Sequence, residues 1–386
     1  MGYEYFDSDE LKLLRESVRN FAKAEIAPLA HDLDEKEQFS IPLTAKMGEM
    51  GFFGTVVPTK YGGQGMDYLS YIVVVEELAR IDGSQAATIA AHNSLGAAPL
   101  YYYGNDDQKK KYLPSLCDGR GLWGFGLTEP EAGSDAQASK TNAVWNESKK
   151  KWILNGSKIW ITNSASEITK GITVQAVTGR KSDGRPELSC FIVEAGAPGL
   201  TARAMKGKMM WRASNTGELY FDNVEVAPEN MLGEKGQGFK IMMETLDNGR
   251  LSIGAMGLGL AKGALELTVK YANERKTFGQ SISKHQVVAF KIAEMAMRIE
   301  AAEGLLYKAC WLKQTNRPFS KVAAMAKLYC SEVAEYCARE GQQTFGGYGL
   351  MKEYPIERHY RDAALLRIGE GTSEIQRLVI SRLVGC

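Results

Sequence analysis

The sequence predicts an α+β fold that is mostly helical, in which one block of strands separates two blocks of helices. Apolar residues recur at helical spacing before residue 120, and long stretches free of proline follow residue 238. Between them, residues 121–233 are rich in Gly, Thr, Trp and alternating apolar residues, which favours strands. Because the strands are segregated, the pattern differs from the βαβ alternation of a parallel sheet. We therefore predict a helical domain at 1–120, a β-barrel or sandwich at 121–233 and a four-helix bundle at 234–386.

The first helix is predicted to start at Asp7, which can cap it together with Glu10 three residues later. Leu11, Leu14 and Val18 then recur at helical spacing, and Pro28 is expected to end the helix. Small apolar residues fill positions 84–103 and predict a buried helix.

Short apolar runs in the middle block predict strands at 152–154, 159–161, 172–174 and 190–193. Asn155-Gly156 separates the first two runs, and this dipeptide is typical of a two-residue hairpin. We therefore expect a β-hairpin at this point.

Long helices with an apolar face dominate the last block and pack most simply as a bundle. Gly257, Gly259 and Gly263 are spaced like part of a dinucleotide-binding loop, but they lie inside a helical run and follow no strand. Close packing of helices is therefore the better interpretation of these glycines.

Composition excludes several classes of function. A formal net charge of +1 argues against a general nucleic-acid binder, and no apolar run approaches the roughly 20 residues that stable membrane insertion requires. The six cysteines form no C-x-x-C and the four histidines no H-E-x-x-H, so we expect no metal site. Redox chemistry would then need an organic cofactor. No secretory or mitochondrial leader is recognisable at the N-terminus, which predicts a cytoplasmic protein or the mature form of an organellar one.

Three short segments could bind a ligand, although each has a purely structural alternative. Residues 124–135 join a strand-like run to a Gly-Ser loop whose N–H groups could hold a pyrophosphate or a heterocycle, but for this segment taken alone a β-turn is the preferred interpretation. Trp160 and Thr162 share one strand face and could cover a flavin-sized ring, or simply belong to a half-buried strand. Glu370 lies between two glycines that would let a ligand approach, or in a loop that caps the next helix.

The order in which these segments occur resembles the acyl-CoA dehydrogenase family over nearly the whole chain. The matching motifs are G-L-T-E-P at 126–130 with A-G-S-D at 132–135, W-I-T-N at 160–163, E-R-K-T-F-G at 274–279 with H-Q at 285–286, Q-x-F-G-G-x-G at 343–349, Y-R-D-A at 360–363 and E-G-T-S at 370–373. The resemblance implies the three-domain fold predicted above and a homotetramer built as a dimer of dimers. It also implies FAD between the middle and C-terminal domains.

The resemblance further implies which residues bind FAD. The middle domain would contribute Phe125, Leu127, Thr128, Gly133, Ser134, Trp160, Ile161 and Thr162. The C-terminal domain, partly from a neighbouring subunit, would contribute Arg275, Phe278, Gln286, Gln343, Phe345, Gly346, Gly347, Thr372 and Glu374. Contacts to the acyl-CoA substrate would come from Ser134, Asp247, Arg250, Gly369 and Gly371.

Glu370 matches the catalytic base of the family. The resemblance implies that it removes the α-proton of an acyl-CoA while a hydride passes from Cβ to flavin N5, giving a trans-2-enoyl-CoA. Electrons would then pass to electron-transfer flavoprotein. Some members carry the base on the helix near 247–250, but Gly249 occupies that position here and cannot serve.

Gly369 stands where many straight-chain enzymes carry Tyr, and the missing ring would suit branched or alicyclic acyl groups. The expected substrate is therefore a short, branched or alicyclic acyl-CoA. No Arg lies near 86–90 to pair with a distal carboxylate, and His92 is expected to be a core residue. Three alternatives stay open: an acyl-CoA oxidase-like flavoenzyme, a dehydrogenase of an unusual cyclic or aromatic CoA ester, and a non-catalytic helical scaffold.

Overall fold

Helices form both ends of the chain in the computed structural model, which describes residues 8–386. The first helical block contains α1 (Asp9–Phe21), α2 (Ala27–Glu35), α3 (Ile41–Glu49), α4 (Tyr68–Ala79), α5 (Gly83–Ala91), α6 (Ala98–Tyr103) and α7 (Asp106–Tyr112). The last block contains α8 (Gly238–Glu274), α9 (Gln286–Gln314), α10 (Ser320–Phe345), α11 (Ile356–Leu366) and α12 (Ser373–Val384). The predicted fold class is confirmed, while the residue boundaries of the three domains stay predictions.

The N-terminal helix begins and ends differently from the prediction. Asp7 lies outside the described residues, and Ser8 caps α1 by accepting a hydrogen bond from the Leu11 N–H at 3.3 Å. Pro28 does not end the helix, so that prediction is wrong. A π-helical turn at Ala22–Ile26 leads directly into α2, whose first turn holds Pro28. A proline is tolerated there because it has no N–H to leave unpaired.

Residues 84–103 form the predicted buried helical segment, in which a π-helical turn at His92–Ala97 joins α5 to α6. The His92 side chain is buried, and its Nε2 lies 2.7 Å from the carbonyl oxygen of Leu116. Burial lowers the pKa of His92 to about 4, so the ring is neutral. His92 is therefore a core residue, as predicted.

The strands β1 to β8 form one eight-stranded sheet. Their bounds are β1 (Leu122–Gly126), β2 (Asn142–Asn146), β3 (Lys151–Thr162), β4 (Thr169–Arg180), β5 (Pro186–Glu194), β6 (Leu200–Ala204), β7 (Thr216–Val226) and β8 (Met231–Leu232). The order across the sheet is β6-β7-β3-β2-β4-β5-β8, and β1 pairs in parallel with β4. A short ribbon, β9 (Lys276–Thr277) and β10 (Gln280–Ser281), lies between α8 and α9.

The hairpin predicted at Asn155-Gly156 is wrong, because β3 continues through both residues. The pairing of β3 with β7 shifts register between Leu154 and Gly156, as at a β-bulge. A Cβ at Gly156 would lie 2.6 Å from Thr141 Cα, so the glycine allows close approach of two backbones. Tertiary pairing thus overrides the local turn preference.

Close helix packing explains the glycines of α8, as predicted. A Cβ at Gly257 would lie 2.7 Å from the Cys330 carbonyl oxygen, and Cβ atoms at Gly259 and Gly263 would overlap the Glu76 and Arg80 carbonyls.

In the described part of the chain, no helix is long and apolar enough to cross a membrane. Residues 8–386 likewise contain no group of three or more potential metal-ligating side chains.

A buried ionic network joins the N-terminal helices to the C-terminal bundle. The Glu76 carboxylate on α4 accepts hydrogen bonds from Arg15, Lys262 and Tyr307, each at 2.7 Å. Burial alone would raise the pKa of Glu76, but Lys262 and Arg15 outweigh it and lower the pKa to about 2. Glu76 is therefore an anion that holds cations from α1 and α8.

Candidate active site

Glu370 lies in the loop between α11 and α12 in a strained backbone conformation. Its φ is +54°, in the left-handed region that non-glycine residues rarely occupy, and Gly371 follows with φ +94°. The carboxylate atom Oε2 is enclosed and has no hydrogen-bond partner among the described residues. Burial raises the pKa of Glu370 to about 7, although Lys327 and Arg250 oppose the shift. An enclosed carboxyl with a pKa near neutrality is suited to accept a proton.

Two side chains hold the carbonyl oxygens of this loop. Lys327 Nζ donates to the Gly371 oxygen at 2.7 Å, and Gln376 Nε2 donates to the same oxygen at 3.0 Å. Gln376 also donates to the Glu370 oxygen at 3.3 Å. Thr372 caps α12, because its Oγ1 accepts from the Ile375 N–H at 3.3 Å. The strained loop is therefore fixed from α10 and α12.

Gly249 on α8 faces the candidate base directly. A Cβ at this position would overlap Glu370 Oε2 and would lie 3.0 Å from Glu370 Cδ and 3.1 Å from Leu95 Cδ2. The carboxylate thus fills the space that a side chain at 249 would need.

Replacing Gly249 by Ala is therefore expected to displace the Glu370 carboxylate while FAD stays bound. Because misplacement of a catalytic group by about 1 Å can cost about 10²-fold, we expect a loss of that size in turnover. Steady-state kinetics and flavin absorbance check this. Gly304→Ala is the matched control, since a Cβ there meets nothing within 4 Å. Equal activity of the two variants would contradict the close packing of Gly249 and Glu370.

The predicted substrate residues Asp247 and Arg250 lie on the same helix as Gly249. Arg250 is buried and forms an ion pair with Asp247, whose other oxygen accepts from Ser320 at 2.6 Å. Gly369 and Gly371 flank Glu370 in the loop, the charge of Arg250 acts on the Glu370 carboxylate, and Asp247 is linked to this group through its ion pair with Arg250. Ser134 is exposed in a loop of the middle domain.

A buried ion pair holds the loop that follows β1. Glu129 accepts hydrogen bonds from the Lys140 and Thr141 N–H groups at 2.6 and 3.1 Å. It also accepts from Lys158 Nζ at 2.8 Å, and Lys158 donates to the Leu127 oxygen at 3.0 Å. Glu129 and Lys158 were not among the predicted site residues, although a lysine in an apolar strand such as β3 is a usable signal. Gly133, in the same loop, is exposed.

The predicted flavin residues of the middle domain divide into exposed and buried groups. Trp160 is 59% exposed with φ +58°, Thr128 and Thr162 are half-buried, and Ile161 packs into the core of the sheet between Trp160 and Thr162. Phe125 and Leu127 are core residues as well. Trp160 and Thr162 lie outside that core, at a point where the pairing of β3 with β7 shifts register between Lys158 and Ile161. Their shared role at a flavin stays a prediction.

Four of the nine predicted residues of the C-terminal domain line a surface cavity of about 550 Å³. Its lining includes Arg275, Phe345, Gly346 and Gly347, but it does not include Phe278, Gln286 or Gln343. Phe278 is 96% exposed, with φ +50°. Thr372 and Glu374 lie apart from this cavity, at the start of α12.

These features fit FAD. A Cβ at Gly133, Gly346 or Gly347 would meet nothing within 4 Å, so their backbones are open to a ligand. The exposed indole of Trp160 suits a planar ring, and the Arg275 guanidinium suits a phosphate. Trp160 and Thr162 would hold the ring, while Arg275 and the two glycines would hold the dinucleotide end.

The fold and this site define an FAD-dependent oxidoreductase. The chain belongs to the acyl-CoA dehydrogenase family. Models of the N-terminal, middle and C-terminal domains of acyl-CoA dehydrogenase match residues 8–120, 124–224 and 236–385. The family and the cofactor predicted from the sequence are thereby confirmed.

Two curated bacterial relatives cover nearly the whole chain. "Probable acyl-CoA dehydrogenase YngJ" of Bacillus subtilis is 48% identical over 97% of this chain and 97% of its own. A short-chain specific acyl-CoA dehydrogenase of Clostridium acetobutylicum is 43% identical over 96% of this chain and 97% of its own.

Solved structures agree in fold along the full length. The butyryl-CoA dehydrogenase of Megasphaera elsdenii has a TM-score of 0.94 and 42% identity over 98% of both chains. A chain in a structure of the electron transferring flavoprotein of Acidaminococcus fermentans has the same TM-score and 44% identity over 98% of both chains. A Bacillus anthracis acyl-CoA dehydrogenase in complex with FAD matches with a TM-score of 0.91 and 35% identity, over 98% of this chain and 66% of its own.

Proposed function

We propose that the protein converts a short acyl-CoA into its 2-enoyl-CoA, with Glu370 as the base that removes the α-proton. The observation that carries the proposal is the enclosed Glu370 carboxylate, which faces Gly249 without a hydrogen-bond partner in residues 8–386. Short-chain and butyryl-CoA enzymes among the similar proteins support the class of substrate.

The residues of the loop act on the proton and on the thioester carbonyl. Removal of the α-proton becomes feasible when the base binds protons strongly, and the environment of Glu370 raises its pKa to about 7. The Glu370 N–H has no hydrogen-bond acceptor among residues 8–386, and we assign it to the thioester oxygen. When bound, FAD supplies the two-electron acceptor for the hydride that leaves Cβ. The proton ends on Glu370.

The proposed role of Glu370 predicts the pH dependence of activity. Only the ionised carboxylate can accept the proton, and burial raises its pKa to about 7. We therefore expect kcat/KM to rise with pH through about 7 and to level off above it. A profile measured from about pH 5.5 to 8.5 checks this. A profile that is flat over this range would argue against titration of Glu370.

We propose that Gly369 leaves room for branched or alicyclic acyl groups. Its N–H donates to the Leu365 oxygen at 2.9 Å, and a Cβ would come no closer than 3.7 Å to Leu365. The backbone therefore accepts a side chain here without strain.

Gly369→Tyr is expected to lower turnover of branched and cyclic thioesters by at least about 10-fold relative to butyryl-CoA, because the ring fills the free space. Gly369→Ala, which adds only a methyl group, is the matched control and should change the ratio little. An unchanged ratio in the Tyr variant would remove Gly369 from substrate selection.

The test of the proposed function is anaerobic bleaching of the flavin by a panel of straight, branched, cyclic and aromatic acyl-CoAs. We expect bleaching with short straight and branched or alicyclic members. Strict preference for butyryl-CoA would count against the proposal for Gly369. Absence of bleaching with every member would contradict dehydrogenation itself, and rapid peroxide formation in air would favour an oxidase.

We propose electron-transfer flavoprotein as the electron acceptor and a homotetramer as the assembly. The similarity to a chain in a structure of an electron transferring flavoprotein supports the first. Apolar side chains exposed on or near α9, namely Phe278, Val287, Phe290 and Met297, support the second. Light scattering should give a mass about four times the chain mass of 42.5 kDa, and a monomer would contradict this part of the proposal.

A further inference from the structure

Lys327 on α10 is a buried lysine beside the candidate base. Its side chain is fully buried, and its Nζ donates to the Gly371 oxygen at 2.7 Å. No carboxylate in the described part of the chain lies within 4 Å of this ammonium. Burying a lysine without a paired anion is costly, so its position calls for a function.

We propose that Lys327 is a positioning residue for the base Glu370. Through the Gly371 carbonyl it keeps the left-handed loop facing Gly249, and its positive charge keeps the enclosed carboxylate ionised until it accepts the α-proton. The inference rests on the function proposed above.

The charges around Glu370 support this role for Lys327. Lys327 from α10 and Arg250 from α8 are the cations that oppose the rise in the pKa of Glu370, and the charge of Glu370 in turn raises the pKa values of Tyr68 and Tyr71 on α4. Arg250 already pairs with Asp247. Lys327 is therefore the cation near Glu370 that is not committed to a carboxylate within 4 Å in residues 8–386.

The influence between the two groups is mutual. Burial lowers the pKa of Lys327 to about 8, while Glu370 and Glu374 raise it and Arg250 lowers it further. Lys327 in turn opposes the rise in the pKa of Glu370. A cation here lets a carboxylate with one enclosed oxygen stay charged near neutral pH.

Gln376 provides an internal control for this inference. It donates to the oxygens of both Glu370 and Gly371, as described above, but it carries no charge. Removing Gln376 therefore weakens the support of the loop and leaves the charge near Glu370 in place. A purely structural role of Lys327 would make its loss resemble the loss of Gln376.

The test compares FAD-loaded Lys327→Met, Lys327→Arg and Gln376→Met by flavin content and by the pH profile of kcat/KM. The acid limb is the rise of kcat/KM with pH on the acidic side of the profile. In Lys327→Met we expect the midpoint of this limb to move up by about one pH unit or more, because loss of the positive charge raises the proton affinity of Glu370. Lys327→Arg should restore the wild-type limb. Gln376→Met should lower kcat with the limb in place.

An acid limb of Lys327→Met at the wild-type position would overturn the inference. If Lys327→Met fails to fold, Lys327→Gln, which keeps a donor for the Gly371 oxygen, carries the same prediction and the same refutation. The two proposals fail differently. A wild-type holoenzyme that no acyl-CoA reduces would contradict the proposed function, whereas an active wild type with an unmoved limb in the variant would contradict only the role of Lys327.

Discussion

Glu370→Gln is expected to keep FAD and to lower acyl-CoA turnover by about 10²–10⁴-fold, the range that a general base contributes. The amide has nearly the shape of the carboxylate, so it should fit against Gly249, where a larger group would not. It cannot accept the α-proton, however. Loss of activity with a normal flavin spectrum would therefore isolate the proton transfer from the binding of the cofactor.

Flavin absorbance of the purified variant and steady-state turnover with a short acyl-CoA measure the two expectations separately. Glu353→Gln is the matched control, because it makes the same chemical change at an exposed residue that precedes α11, outside the loop that holds Glu370. Near-normal turnover of Glu370→Gln would exclude Glu370 as the base. Loss of FAD from this variant would instead give the carboxylate a role in the cofactor site.

Glu76→Gln is expected to lower the free energy of unfolding by about 3–5 kcal/mol. The change removes the fully buried anion that faces both Arg15 and Lys262 and leaves each cation with one carboxylate partner, Glu77 for Arg15 and Glu303 for Lys262. Because the folded-state pKa of Glu76 is lowered to about 2, its stabilisation is complete above the unfolded value near 4.5. The stabilisation is lost as the pH falls from about 4.5 through about 2.

Thermal unfolding at neutral pH checks the effect, with an expected fall of several degrees in the midpoint. Glu303→Gln is the matched control. Glu303 also pairs with Lys262, at 2.9 Å, but its side chain is 26% exposed, and we expect at most about 1 kcal/mol. Equal midpoints for the two variants would show that the Glu76 network contributes little to stability.

Long periodic segments allowed most of the fold to be predicted from sequence. The 3.6-residue spacing along α8 to α10 and the segregated strands depend on local pattern, and both predictions are confirmed. The hairpin at Asn155-Gly156 and the helix end at Pro28 were wrong for a shared reason. Each was inferred from a short-range preference, and β7 pairing in one case and a π-helical turn in the other overrode it.

The candidate site was predicted through the family motifs, and its supporting residues were not. Glu370 is distant in sequence from Gly249 and Arg250, and only the packing of α8 against the loop shows that they are close in space. Lys327 and Lys158 carry a weaker signal, a lysine at a core-facing position of an apolar helix or strand. Composition alone cannot tell such a lysine from one that extends to solvent.

A single anaerobic turnover tests the central claim most directly. The FAD-loaded protein and its Glu370→Gln variant are each mixed with excess short acyl-CoA, and flavin absorbance and the thioester products are followed together. We predict that the wild type loses its flavin colour and forms one 2-enoyl-CoA per FAD. Over the time in which the wild type reacts completely, the variant should keep its colour and form no enoyl-CoA. Bleaching of the variant as fast as the wild type, or a wild type that forms no enoyl-CoA, would contradict the account.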